Sequence, residues 1–88
     1  MRVPNSREQN VINASLEGYV TPEQWQFDAL ASFGFNIGAP GLGHSTVIRL
    51  CRLRQFQQAA DAFLMWVHPP ELRERREGER RQFLGIEP

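Results

Sequence analysis

An apolar run near the middle of the chain sets the strongest constraint on the fold. Residues 26–38, QFDALASFGFNIG, hold three of the six phenylalanines and a single charged residue, in a chain where 23% of residues are charged. Read as a helix, the run is apolar on nearly every side, and such a helix is buried. We therefore predict a central helix around which the others pack. Its apolar residues are Trp25, Phe27, Ala29, Leu30, Ala31, Phe33, Gly34 and Phe35.

The residues before and after this run predict where the central helix begins and ends. Thr21 suits an N-cap, Pro22 suits the first helical position, and Gln24 stands where a capping-box partner belongs. We expect the helix to extend to about Asn36. The glycine-rich residues 38–43 then predict a tight connection to the next helix.

Apolar residues at helical spacing predict four further helices. The cleanest pattern runs from Gln55, and a proline-proline pair follows it. The predicted bounds are Ser6 or Arg7 to Leu16, Val47 to about Leu53 with Ser45 or Thr46 as cap, Gln55 to Val67, and Pro70 to about Leu84 before Gly85. No alternating strand pattern is present, so the fold class is all-α. We expect a flexible arm at residues 1–6 and one helical domain at residues 7–86.

The charge pattern argues against a nucleic-acid partner. All ten basic residues are arginine, the net charge is zero, and five arginines fall within residues 73–81, RERREGERR. Four glutamates within residues 71–79 balance them, whereas a nucleic-acid footprint normally shows a basic excess. We interpret the block as the surface of a salt-bridged helix.

Other site classes find little support in the composition. Cys51 is the only cysteine, so it forms no disulfide within the chain and reads as a small core residue. His44 and His68 have no second ligand at metal spacing, so we predict no metal and no cofactor. We also expect no membrane span and no signal peptide, because no stretch approaches about 20 apolar residues and residues 1–10 lack an apolar segment. We expect a cytoplasmic location by default, with any export using another route.

Four motifs in order resemble the C-terminal lobe of phage-type lysozymes, the endolysin muramidases. They are QFDALASFGFNIG, then the six residues STVIRL, then ADAF with Trp66, and then LRERREGERRQFL. The upstream VINASL and VTPEQ are similar to the lead-in to that lobe, so the resemblance runs from about Val11 to Leu84. It implies a bacterial or phage-encoded protein with a lysozyme-like helical lobe.

The resemblance also implies a chemistry that this sequence does not fully carry. Family members cleave peptidoglycan with a glutamate acid, helped by an aspartate and a threonine from a small β-rich lobe. Nothing upstream of Thr21 resembles the hairpin that holds those two residues. Glu17 and Gly18 resemble the catalytic Glu-Gly pair, but an alignment that makes residues 11–24 the linker helix explains more residues. We therefore predict no catalytic residue, with Glu17 as the acid only if activity survives.

Four residues transfer from the family as candidates for substrate binding. The resemblance implies that Phe35 and Thr46 border the sugar site, with Asn36 adjacent. Phe35 as a core residue and Thr46 as a cap is an equally weighted interpretation. Arg75 resembles the arginine that contacts the catalytic carboxylate. Without that carboxylate, we favour an ion pair of Arg75 with Glu71 or Glu79 on the helix surface.

Three functions follow as hypotheses. The first is a truncated lysozyme-like protein without muramidase activity that binds peptidoglycan fragments or a protein partner, with self-association through uncovered apolar surface. The second is an active muramidase that uses Glu17. The third is an effector or regulatory protein of bacterial or prophage origin, built on the lysozyme scaffold.

Overall fold

The computed structural model describes residues 7–67 and 70–86, and these are helical with no strand. The all-α prediction is confirmed. The predicted arm at residues 1–6, with Ser6, lies outside the described residues, as do His68 and Pro69. Within these described residues there are six α-helices: α1 Arg7–Leu16, α2 Gln24–Ile37, α3 Ala39–Gly43, α4 Thr46–Arg52, α5 Phe56–Ala62 and α6 Arg73–Phe83. Two 3-10 turns span Phe63–Met65 and Pro70–Leu72.

Helix α2 is the centre of the domain, as the sequence predicts. It contacts α1, α3 and α6, and it buries Leu30 and Phe33 completely. The prediction of burial on nearly every side is wrong at two positions, because Trp25 is 45% exposed and Phe35 is 57% exposed. The buried residues of α2 cover somewhat more than half of its circumference, and these two aromatic side chains lie on the remaining, exposed part.

The start of α2 differs from the prediction that Thr21 caps it. Glu23 is the N-cap instead, and its backbone N–H donates to Gln26 Oε1 at 2.8 Å. This reciprocal pairing of cap and third helical residue satisfies a donor that the first turn leaves free. The capping box therefore begins two residues later than Thr21.

The predicted connection at residues 38–43 contains a short helix. Gly38 ends α2 with φ 95°, a left-handed conformation that favours glycine, and Pro40 then lies in the first turn of α3. Leu42 of α3 is fully buried against α2. A Cβ built on Gly34 would lie 2.6 Å from Leu42 Cδ2, so Gly34 is what lets α3 approach α2.

The predicted cap of α4 is confirmed at Ser45. Its Oγ accepts from the backbone N–H of Ile48 at 3.2 Å and donates to the carbonyl oxygen of Leu42 at 2.9 Å. One buried hydroxyl thus joins the end of α3 to the start of α4. The sequence predicts this because serine at an N-cap satisfies an amide that the first turn leaves unpaired.

The helix predicted from Gln55 to Val67 is shorter than expected. Its α-helical part ends at Ala62, and a 3-10 turn continues to Met65. Pro69 and Pro70 would stop an α-helix only near Val67. The earlier change coincides with Phe63, which is fully buried and stacks on Phe33. Pro70 opens a 3-10 turn, and the last α-helix begins three residues later, at Arg73.

An aromatic cluster holds α6 to the rest of the core. The rings of Phe33 and Phe63 stack with centroids 5.0 Å apart, and Phe83 lies 5.5 Å from Phe63. Trp66 meets Phe33 edge-on at 5.7 Å. Because these residues come from α2, the α5 region and α6, the cluster fixes the face that α6 turns toward α2. Across residues 7–67 and 70–86, no helix has the length and apolar character needed to cross a bilayer.

Candidate functional site

A buried polar network joins α2 to α6 beside the aromatic cluster. Arg76 is fully buried and donates through Nε to the carbonyl oxygen of Trp66 at 3.0 Å, through Nη1 to Glu79 Oε1 at 2.5 Å, and through Nη2 to Asn36 Oδ1. Ser32 Oγ donates to the other oxygen of Glu79 at 2.6 Å. The guanidinium and the carboxylate therefore neutralise each other, and each also has neutral hydrogen-bond partners.

The interpretation of the charged block as an exposed helix surface holds for only part of it. Arg73 and Glu77 form an exposed pair at 3.0 Å, and Arg80 reaches Asp61 at 2.8 Å. Arg76 and Glu79, at 0% and 5% exposure, are instead part of the interior. The prediction that the block forms salt bridges is therefore confirmed, but the prediction that they lie on the surface is wrong for Arg76 and Glu79.

A signal for this burial exists in the sequence. Leu72 and Phe83 are both apolar, and positions 76 and 79 lie between them at steps of four, three and four residues. Arg76 and Glu79 therefore share a face with two apolar residues. An opposite-charge pair at helical spacing between apolar residues is a sequence pattern that indicates a buried ion pair.

Phe35 and Arg75 lie together in a groove between α2 and α6. Its other lining residues include Asp28 and Ser32, and its volume is about 330 Å³. Arg75 is half-exposed and lies 4.0 Å from Glu79, one of its two expected partners. With Phe35 57% exposed, the core interpretation of this residue is wrong, and its ring is open to solvent. We name this concavity the Phe35 groove.

Asn36, the next residue, lines a second concavity of about 340 Å³. We name it the Asn36 cavity. Its walls are mainly apolar, and the polar side chains that line it are those of Asn36 and Arg76. The other lining residues are Ile37, Met65, Trp66 and Leu72.

The remaining two candidates lie in separate concavities. Thr46 lines a polar pocket of about 260 Å³ together with His44, Arg49 and Arg52. Glu17 lines a groove of about 270 Å³ that contains no second acidic residue among the described part of the chain. The structure thus brings Phe35, Asn36 and Arg75 to neighbouring positions, and it assigns Thr46 and Glu17 to concavities of their own.

Neither metal binding nor thiol chemistry finds a site in the described residues. No group of three His, Cys, Asp or Glu residues within 7–67 and 70–86 is arranged to hold a metal ion. Cys51 is buried, and desolvation raises its pKa from an ordinary 9.0 to about 12. A thiol held in its protonated form is a poor nucleophile.

Comparison with known proteins agrees with the fold and with the motifs. The Phage lysozyme family model matches residues 5–79. An endolysin of Salmonella phage P22 is 48% identical over 66 residues, which cover 70% of this chain and 45% of the endolysin. An endolysin of Bacillus phage B103 is 42% identical over 66 residues, 69% of this chain and 25% of the endolysin. The chain thus spans less than half the length of these curated relatives.

Proposed function

This chain belongs to the phage lysozyme family, and we propose that its helical domain binds fragments of peptidoglycan without cleaving them. The binding surface in this proposal consists of the Phe35 groove and the Asn36 cavity, each of which includes a residue at the C-terminal end of α2. Thr46, in its own polar pocket at the start of α4, is a further candidate contact.

The observation that carries the proposal is the exposed ring of Phe35 among polar neighbours. An aromatic side chain that is 57% exposed at the C-terminal end of a central helix gains little from the core. Aromatic faces stack on the apolar faces of sugar rings, while amides and guanidinium groups bond sugar oxygens. Arg75 supplies a guanidinium group in the Phe35 groove, and Asn36, the next residue after Phe35, supplies an amide in the Asn36 cavity.

The lack of hydrolysis in the proposal follows from how the described carboxylates are placed. Glycoside hydrolysis uses two groups that flank the scissile bond, one as proton donor and one on the opposite face of the sugar. Glu17 stands in its groove without a second acid, and Asp28 is the acid of the Phe35 groove. Glu79 is held by Arg76 and Ser32, so it is not free to deliver a proton to a ligand.

A chemical-shift titration with chitotriose or a muropeptide tests the binding. We expect the backbone amides of residues 34–47 to shift, with saturation at a single affinity. Phe35→Ala should weaken binding about tenfold, the loss expected for one stacking contact of about 1.4 kcal/mol. Leu53→Ala is the matched control, because Leu53 is 60% exposed but lines none of these concavities.

Absence of any saccharide-dependent shift would contradict the proposal. In that case an equilibrium sedimentation series and capture with purified cell-wall proteins would show whether the exposed Phe35 serves a second copy or a protein partner instead. An effect of Leu53→Ala equal to that of Phe35→Ala would also contradict it, since the binding surface would then lie elsewhere.

Hydrolysis through Glu17 is tested separately with a suspension of purified cell walls. We expect no fall in turbidity with this chain, and no difference between the natural sequence and Glu17→Gln. Clearing that Glu17→Gln abolishes would establish muramidase activity and overturn the non-catalytic part of the proposal.

A further inference from the structure

The buried guanidinium of Arg76 determines which atom of Asn36 faces it. Arginine has five N–H donors and no acceptor, so only an acceptor on Asn36 forms a favourable contact with it. The Asn36 atom at this contact is Oδ1, as this rule requires. The Asn36 amide nitrogen, Nδ2, is therefore directed away from Arg76.

Arg76 is itself held so that it cannot turn away from Asn36. Its Nε is bound to the carbonyl oxygen of Trp66, its Nη1 to Glu79, and its planar group lies 5.2 Å from the centre of the Phe33 ring. Glu79 is in turn fixed by Ser32. A fully buried, planar group with contacts in three directions holds its orientation more firmly than an exposed side chain does.

The Asn36 cavity leaves the amide nitrogen for a ligand. Asn36 is an exposed residue, and its side-chain contact with Arg76 uses Oδ1, which leaves Nδ2 for solvent or a ligand. The surrounding wall is hydrocarbon and indole, from residues such as Met65, Trp66 and Leu72. A ligand group that enters here therefore meets N–H donors beside an apolar wall, and the group that complements this surface is an oxygen acceptor such as a carbonyl or ether oxygen.

We propose that Arg76, together with Glu79, is a positioning residue that locks Asn36 with its amide N–H donors toward the Asn36 cavity, so that the cavity selects a hydrogen-bond acceptor on the ligand. The inference rests on the proposed function, because the ligand is taken to be a peptidoglycan saccharide. Arg76 lies in the wall of the cavity but is 0% exposed, so in this proposal it acts on the ligand through Asn36.

The first test changes Asn36 alone. Asn36→Asp keeps an oxygen for Arg76 but removes both N–H donors, so we expect a folded protein that binds chitotriose about tenfold more weakly, the loss of roughly one hydrogen bond. The side-chain N–H signals of Asn36 in the natural sequence should shift during the same titration. Undiminished binding by Asn36→Asp, or side-chain signals that stay still at saturation, would overturn the inference.

The second test leaves Asn36 in place and removes its support. Arg76→Met with Glu79→Met replaces the buried pair by apolar groups, which frees the amide of Asn36 to rotate. We expect chitotriose binding to weaken about fivefold and the Asn36 side-chain signals to lose their distinct shifts. Arg73→Met with Glu77→Met is the control, because it makes the same replacement at an exposed pair on the same helix. Equal binding by the two double variants would overturn the positioning role.

A third measurement on the free, unmutated protein separates this inference from the proposed function. Nuclear Overhauser contacts from the Asn36 Nδ2 protons to Met65 and Leu72 support the orientation; contacts to the Arg76 guanidinium protons in their place overturn it. The result stands even if the double variant does not fold. If chitotriose fails to bind the natural sequence, the proposed function falls, and this measurement still decides how Asn36 is held.

Discussion

Replacing Arg76 by methionine tests whether the α2–α6 network is an interior element of the fold. The side chain is 0% exposed, and its removal leaves Glu79, at 5% exposure, without its 2.5 Å partner. Breaking a buried ion pair from one side costs about 3–5 kcal/mol, because an uncompensated charge stays behind. We expect a value near 3 kcal/mol, since the Ser32 hydroxyl at 2.6 Å and Arg75 at 4.0 Å still stabilise the carboxylate.

The assay is urea unfolding followed by circular dichroism, with a thermal scan alongside. A loss of about 3 kcal/mol is a large share of the stability of a small domain, and it lowers the melting midpoint by at least about 12 °C. Arg73→Met is the matched control: Arg73 pairs with Glu77 on the same helix but is 65% exposed. Its loss should cost under about 0.5 kcal/mol.

The decisive comparison is with Arg76→Met combined with Glu79→Met. If the cost arises from a stranded buried charge, removing Glu79 as well restores part of the stability, and the double variant is more stable than Arg76→Met alone. A double variant whose loss equals the sum of the two single losses would refute the reasoning. So would an Arg76→Met protein as stable as Arg73→Met.

Three further predictions concern the core. Gly34→Ala should destabilise the protein by about 1–3 kcal/mol, because the new Cβ would lie 2.6 Å from buried Leu42. Gly78→Ala should instead stabilise α6 by up to about 1 kcal/mol, because the nearest atom to the new Cβ is 3.9 Å away. Urea unfolding of both variants checks these values. Burial raises the pKa of Cys51 to about 12, so the folded state holds the thiol proton more tightly than the unfolded state. The free energy of unfolding should therefore fall as the pH rises from about 9 to 12. At pH 8, a thiol reagent should react with Cys51 only as fast as the protein unfolds. Ser45→Ala should cost about 1 kcal/mol, with Ser45→Thr closer to the natural protein, since both residues accept the amide of the first turn.

The sequence predicts the helices well where local rules act alone. The pattern of α1 and the cap at Ser45 were both found where expected, because side-chain periodicity and capping depend on residues within a few positions of one another. The predicted ends of the helices agree less well with the structure. The chain changes from α-helix to a 3-10 turn at Phe63, and Glu23 rather than Thr21 caps α2. At such positions alternative backbone conformations have similar energies, and the packing of the surrounding residues decides between them.

The candidate site shows the same division. The motif at the end of α2 draws attention to Phe35 and Asn36, but only the structure shows that Phe35 is exposed and that Asn36 faces a second concavity. Arg76 and Glu79 were missed, because a block of alternating charges is usually a solvated surface. Their burial depends on how α6 is rotated about its axis when Phe83 packs against the aromatic cluster.

The amino-acid sequence by itself determines that this chain forms helices, that α2 carries its largest apolar face, and that its motifs are those of a phage lysozyme lobe. These properties are local, or are written in the order of residue types. The spacing of residues 72, 76, 79 and 83 indicates which charged side chains share a face with apolar residues, but only the tertiary structure shows that Arg76 and Glu79 are buried and that Arg76 reaches Asn36. The Arg76–Asn36 contact joins residues 40 positions apart, and no short-range pattern predicts it.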